Sequence, residues 1–225
     1  MKKIIFFNCI CFFVLFTNAQ QIAKVTINST GVTEKISIGL DEGVLLNISL
    51  DGNLIDYGVE YFSEKYAGFS RMEPYIGRTE MYTTFDNKAY QGKLKYIGKY
   101  AVTYYASFDA ESLQGKIKSI GTLMFNYYLP FEDASLKGKI KTIGTNNITY
   151  YSSYENEALK GKLKSVGNTS LTYYTSFDDK AIKGKIKSIG QSSFTYYSSF
   201  DRQYAGAMKT GSQRQNVGGI NFVVN

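Results

Sequence analysis

The chain has no histidine and no tryptophan, and its two cysteines, Cys9 and Cys11, both fall within the first eleven of 225 residues. Those absences exclude whole classes of chemistry. Without histidine, and without cysteine beyond residue 11, neither a Ser-His nor a Cys-His nucleophile pair can be assembled. A zinc site built on His or Cys ligands is excluded on the same ground. The glycines do not form a phosphate-cradling loop: they recur as G-x5-G at strand ends. No cofactor is expected. Proline is nearly absent too, with only Pro74 and Pro130, which suits continuous sheet pairing because each proline removes an amide donor.

The first segment, MKKIIFFNCICFFVLFTNAQ, has Lys2 and Lys3 before an apolar run from Ile4 to Phe16 and small residues before Gln20. This is the pattern of a secretory signal peptide over residues 1–19, cleaved after Ala19. The run is short of the ~20 residues a spanning helix needs, and no cysteine follows the cleavage residues as a lipid anchor would require. Export without the leader leaves a cysteine-free chain that must hold together by pairing and packing. Loss of Lys2 and Lys3 lowers the net charge from +7 to +5. That excess favours acidic partners weakly and does not point to nucleic acid.

What is present is a repeat. The sequence GK[IL]K starts at Gly92, Gly115, Gly138, Gly161 and Gly184, a constant step of 23 residues. Such a period marks a repeat architecture. Before it, Gln21–Asn28, Lys35–Leu40, Val44–Leu50 and Asn53–Phe62 read as strands, the last two joined at Asp51-Gly52, a tight-hairpin dipeptide. Lys65–Gly68 resembles a unit's end, and Phe69–Arg78 reads as the altered first half of a worn repeat. Residues 20–68 are therefore an N-terminal capping region, 69–206 the hairpin repeats, and 207–225 a C-terminal cap. In that cap a polar loop (Ala207–Asn216) leads to a last strand, Ile220–Val224.

Within a unit, period-two alternation divides the second strand into two faces. The inner series is Val102, Tyr104, Ala106, Phe108 in one copy and Leu171, Tyr173, Thr175, Phe177 in another. The outer series is Thr103, Tyr105, Ser107 and its equivalents. A three-residue turn opened by Gly98, Gly121, Gly144, Gly167 or Gly190 would put Leu163 and Ser165 inside with Tyr173. It would put Lys162 and Lys164 outside with Thr172 and Tyr174, sparing two lysines per unit from burial. Pro130 is expected to leave a bulge or unpaired position on the second strand of its unit. In the D-x-x-[AS]-[LI]-[KQ]-G link, Asp109, Asp178 and Asp201 read as caps of a helical turn.

The expected fold is all-β: a curved, single-layer meander of antiparallel hairpins, with a β-solenoid as the alternative. In a solenoid, like lysines would stack ~4.8 Å apart, costing about 0.9 kcal/mol per pair even in water. A meander doubles the spacing and interposes aromatic rings. The layout resembles the MORN repeat family, built from hairpins of similar length laid side by side in a curved sheet. The likeness spans roughly residues 69–206, is architectural, and brings no site residue with it.

The outer face is the candidate binding site. It carries a column of Tyr105, Tyr128, Tyr151, Tyr174 and Tyr197, flanked by lysines that include Lys116, Lys139, Lys162 and Lys185. Flat rings with a hydroxyl suit protein interfaces and sugar platforms, or they can simply cover the second side of a sheet with lysine stems laid over them. The inner face requires a cover: curvature, the N-terminal strands or a partner. The expected function is a non-catalytic, exported scaffold in the periplasm or at the outer membrane. It would bind an envelope protein or glycan, with membership of an outer-membrane complex as its extended form. Two alternatives stand beside it. One is a carbohydrate-active enzyme using carboxylates alone, with Glu132 and Asp133 or Asp178 and Asp179 as candidates. The other is a small outer-membrane β-barrel.

Overall fold

The computed structural model describes residues 20–63 and 69–225. The expected leader (1–19) and the Lys65–Gly68 segment lie outside them. Two sheets pack face to face. The N-terminal strands β1 (Gln21–Ile27), β2 (Thr33–Gly39), β3 (Val44–Ile48), β4 (Leu54–Ser63) and β5 (Phe69–Glu73) form a meander. The repeats form a second meander of eleven strands: β6 (Thr79–Met81), β7 (Leu94–Ile97), β8 (Tyr100–Tyr104), β9 (Ile117–Ile120), β10 (Leu123–Tyr127), β11 (Ile140–Ile143), β12 (Asn146–Tyr150), β13 (Leu163–Val166), β14 (Thr169–Tyr173), β15 (Ile186–Ile189) and β16 (Ser192–Ser193). A short pair, β17 (Thr195–Tyr196) and β18 (Met208–Thr210), follows. The hairpin array is thus the antiparallel meander and not the solenoid. It runs as an open sheet from β6 to β16, so the described strands do not close into a barrel.

The inner face is covered by the N-terminal sheet. Ile22, Val25, Ile27, Ile36, Ile38, Leu46 and Ile48 on one side and Leu94, Ile97, Val102, Ile117, Phe125, Ile140, Ile148 and Leu163 on the other belong to one buried cluster. Each such side chain contributes roughly 1.5–3 kcal/mol on removal from water. The chain ends β19 (Arg214–Val217) and β20 (Ile220–Val224) join this covering sheet, β20 running parallel to β1.

Two boundaries move. Phe69–Glu73 is not half of a worn repeat: it pairs antiparallel with β4 and ends at Pro74, which has no amide to continue a ladder. The array therefore opens at Thr79. The expected polar loop over 207–216 contains β18 and the start of β19, because backbone pairing there does not need apolar side chains.

The hairpin turns have two residues, not three. Ile97 pairs Tyr100, Ile120 pairs Leu123 and Val166 pairs Thr169, with the leading glycine at φ +55 to +57°. A glycine of positive φ in the first position is the pattern of a type II′ turn. The lysines escape burial by another route. In every unit the first strand carries one extra residue, a β-bulge: Thr149 pairs Ser165 but Tyr150 pairs Leu163, leaving Lys164 over. Lys95, Lys118, Lys141 and Lys187 are the extra residues elsewhere. The bulge resets the alternation, so Leu163 and Val166 both face the core while Lys164 and Ser165 face out. Ser165 accordingly bonds Thr149 Oγ1 at 2.6 Å and does not join Tyr173.

Candidate functional site

The tyrosine column expected from the sequence exists, and Tyr82 extends it by one repeat. Each ring is half-buried, and the hydroxyls from Tyr82 to Tyr174 reach the next repeat. Tyr82 donates to the Val102 carbonyl at 3.1 Å, Tyr105 to Phe125 at 3.2 Å and Tyr128 to Ile148 at 3.2 Å. Tyr151 donates to Leu171 at 3.0 Å and Tyr174 to Phe194 at 2.9 Å. The bulge lysines lie over these rings: Lys118 over Tyr105, Lys141 over Tyr128, Lys164 over Tyr151 and Lys187 over Tyr174, at 5.1–5.7 Å. Tyr197 closes the series against Tyr204 with Lys209 above it. Burial raises the phenol pKa of Tyr105, Tyr128, Tyr151 and Tyr174. The column is a register device from repeat to repeat.

The other lysine series is not beside it, contrary to the outer-face expectation. Lys116, Lys139, Lys162 and Lys185 lie over the inner tyrosines Tyr127, Tyr150, Tyr173 and Tyr196. Three of them reach the N-terminal sheet: Lys116 donates to the Asp51 carbonyl at 2.7 Å, Lys162 to Thr30 at 2.8 Å and Lys185 to Ser29 at 2.7 Å. Lys139 and Lys162 line a cavity of about 360 Å³ between the sheets, with Lys160, Glu34 and Asp51. Desolvation lowers Lys116 and Lys185, and brings Lys162 down to about 8. The bulge explains the split: it turns one lysine of each pair outward and leaves the other at the mouth of the sandwich.

Two residues placed on the inner face by the alternation rule are among the most exposed aromatics. Phe108 and Phe177 are 86% and 93% exposed. The period of two stops because the chain leaves the sheet after Tyr105 or Tyr174 and enters a four-residue turn, in which Asp109 N–H donates to the Ala106 carbonyl. The turn's last residue closes it a second time through its side chain. Asp109 Oδ2 accepts from Ala106 N at 2.6 Å, Glu132 Oε2 from Leu129 N at 2.8 Å and Glu155 Oε2 from Ser152 N at 2.7 Å. Asp86, Asp178 and Asp201 do the same. The ring just before each carboxylate is thrown outward. Phe85, Phe108, Phe131, Tyr154, Phe177 and Phe200 form one row, each 83–99% exposed. Pro130 sits in this connector, after β10, and not on a strand. A Phe/Tyr-Asp/Glu dipeptide at a constant step was the sequence signal for the row.

Neighbouring connectors are fastened to one another. Asn87 Oδ1 accepts from Ser107 N at 3.0 Å and Asn87 Nδ2 donates to Ser107 Oγ at 3.0 Å. Asn156 repeats this with Ser176, and Asp179 holds Ser199 through both its backbone N–H and its hydroxyl.

None of the four carboxylates considered as a catalytic pair is shifted toward the protonated form. Glu132, Asp133, Asp178 and Asp179 all have lowered pKa values, Glu132 through the Lys141 ion pair first, the others through bonds to Ser or Thr side chains first. A glycosidase acid needs the opposite shift. Among the described residues no cluster of acidic groups could hold a metal ion, and no helix is long and apolar enough to cross a membrane.

Residues 81–201 match the BspA type leucine-rich repeat region, in six copies. The MORN likeness is not confirmed, although a hairpin repeat protein is. Neither a curated protein nor a solved structure matches the chain. The matched span covers more than half of the chain and contains all six connectors, and its family is one of β-rich, typically non-enzymatic repeat scaffolds. The protein belongs to the BspA-type leucine-rich repeat family.

Proposed function

We propose that the protein is an exported scaffold that binds another component of the cell envelope through the connector edge of its repeat array. The observation that carries this is the row of six aromatic rings, each more than four-fifths exposed and one per repeat. An exposed ring costs solubility and contributes little to the fold of its own chain, so its recurrence in every unit calls for an external contact. The half-buried tyrosine column and the lysines above it give that edge its spacing and supply its polar flank.

Secretion by the leader over 1–19, with cleavage after Ala19, places this scaffold in the periplasm or at the outer membrane. The partner is an envelope protein or glycan, and the chain serves as an accessory piece of the assembly that holds it. The test is purification of the tagged full-length protein from its native envelope in mild detergent, with co-eluting species identified by mass spectrometry. A stoichiometric partner that disappears when Phe131, Tyr154 and Phe177 are changed to serine is the expected result. A partner retained by that folded variant would move the contact away from the connector edge. Recovery of a lone protein with its leader still attached would overturn both export and partnership.

A further inference from the structure

We infer that the connector row is a stacking ladder for an extended, uncharged, β-linked polysaccharide, an inference that rests on reading the array as a binding scaffold. Consecutive connectors are two strands apart, so consecutive rings are ~10 Å apart and the six span ~50 Å along the array edge. That step is close to the length of one disaccharide in an extended β-linked chain. A polymer with such a repeat can offer the same apolar sugar face to every ring. A globular protein partner has no reason to meet six equivalent side chains at one fixed interval.

The surroundings narrow the ligand further. Each ring is followed by a carboxylate: Asp86, Asp109, Glu132, Glu155, Asp178 and Asp201. Each of these carboxylates accepts its own turn's backbone N–H. Two of them are paired with bulge lysines, Glu132 with Lys141 and Glu155 with Lys164, so the edge offers no run of uncompensated charge of one sign to draw a polyanionic glycan or an anionic lipid surface. Uncharged sugars, whose C–H faces lie on aromatic rings and whose hydroxyls can meet carboxylates, are compatible with both rows.

The platform is held before any ligand arrives. Asn87 with Ser107, Asn156 with Ser176, and Asp179 with Ser199 tie adjacent connectors together. The tyrosine hydroxyls fix the strands beneath them. Rings held at a set spacing lose little freedom on binding. Each sugar pair after the first then binds at high effective concentration, so weak contacts accumulate along the chain.

Calorimetry on the full mature chain tests this with graded cello-oligosaccharides and chito-oligosaccharides. Affinity is expected to climb with ligand length until the ligand spans the row. Changing Phe131, Tyr154 and Phe177 to serine singly should weaken the longest binder roughly two- to tenfold each. Circular dichroism should stay unchanged, since the rings are exposed. Binding without length dependence, or binding indifferent to these substitutions, overturns the ladder. So does the absence of binding to either series. If the envelope purification still yields a protein partner lost with the same rings, or if anionic phospholipid vesicles bind through them, the polysaccharide assignment falls while the scaffold reading stands. If neither oligosaccharide nor envelope partner binds, both fall.

Discussion

Gly52 lies against Tyr127 so closely that a Cβ on the glycine would sit 2.1 Å from the tyrosine hydroxyl oxygen. This contact joins the Asp51-Gly52 turn of the covering sheet to the repeat array. The same turn accepts the Ile117 N–H through the Gly52 carbonyl at 3.0 Å and the Lys116 ammonium through the Asp51 carbonyl. Gly52 also has φ +76°. Gly52→Ala therefore meets a backbone penalty and a clash together, and we expect a loss of about 2–4 kcal/mol in urea unfolding. Gly43 has a similar φ, +73°, with nothing near its absent Cβ. Gly43→Ala should cost only about 1–2 kcal/mol. Equal losses in the two variants would mean that the sheets do not meet at Gly52.

The inner tyrosine column contains two kinds of member. Tyr173 donates its hydroxyl to the Leu163 carbonyl at 2.8 Å, whereas the buried Tyr150 hydroxyl has no partner. Removing a satisfied hydroxyl costs a hydrogen bond, while removing an orphaned one relieves a desolvated group. Tyr173→Phe is expected to destabilise by about 1 kcal/mol, and Tyr150→Phe to leave stability unchanged or raise it. Denaturant midpoints at constant m-value read the difference. A loss in Tyr150→Phe as large as that in Tyr173→Phe would contradict the assignment.

Alkaline pH should first strengthen the fold and then weaken it. Lys162 falls from 10.5 to about 8 in the folded protein because burial disfavours its charged form. Between those values the unfolded chain binds more protons than the folded one, so stability rises with pH there. The buried tyrosines act in the opposite sense. Tyr104, Tyr127, Tyr150 and Tyr173 are raised above their ordinary value of 10.0 by desolvation. The stability they contribute is complete below 10 and is lost as pH climbs toward their folded values. A thermal midpoint that rises from about pH 8 to 9.5 and then declines is expected. Lys162→Met should reduce the rise, to which the lowered Lys93, Lys116 and Lys185 also contribute, and leave the decline.

Two connector joints lack the fastener by which Asn87, Asn156 and Asp179 each hold the serine twenty residues ahead. At one, Asp133 instead accepts from Ser135. At the other the equivalent pair is Ala110 and Pro130, and neither residue suits it. Alanine has no acceptor side chain and proline has no amide to donate, so neither residue leaves the other unsatisfied. Ala110→Asn combined with Pro130→Ser should restore the link. A double-mutant cycle is expected to show favourable coupling of about 1–2 kcal/mol, with each single change near neutral. Additive behaviour would show that the serine N–H is not what the Asn holds.

Much of this architecture was legible in the repeat itself. The 23-residue step is written in the chain, and the Thr-Tyr outer series and the inward Val102, Tyr104, Leu171 and Tyr173 positions follow from a strand's period of two, which depends only on local backbone geometry. The spacing of the lysine columns also favoured a meander over a solenoid on electrostatic grounds. The period gave a wrong face where the backbone stops being a strand. Phe108 and Phe177 obey the alternation on paper, yet a turn closed by Asp109 or Asp178 sends them to solvent. The lysine placement failed for a related reason. A turn of three residues and a turn of two with a bulge leave Lys164 on the same side, and composition does not distinguish them.

The sequence by itself determined the repeat and its all-β character, because these depend on residue identity and on local periodicity. Only the tertiary structure decided that the N-terminal strands cover the inner face, that β20 returns to pair beside β1, and that one lysine per unit is drawn into the seam between the sheets. Those outcomes rest on contacts between residues more than a hundred positions apart, such as Lys162 with Thr30 and Lys185 with Ser29. The exposed aromatic row belongs to both levels: its period is written in the chain, and its exposure is set by where the folded backbone turns.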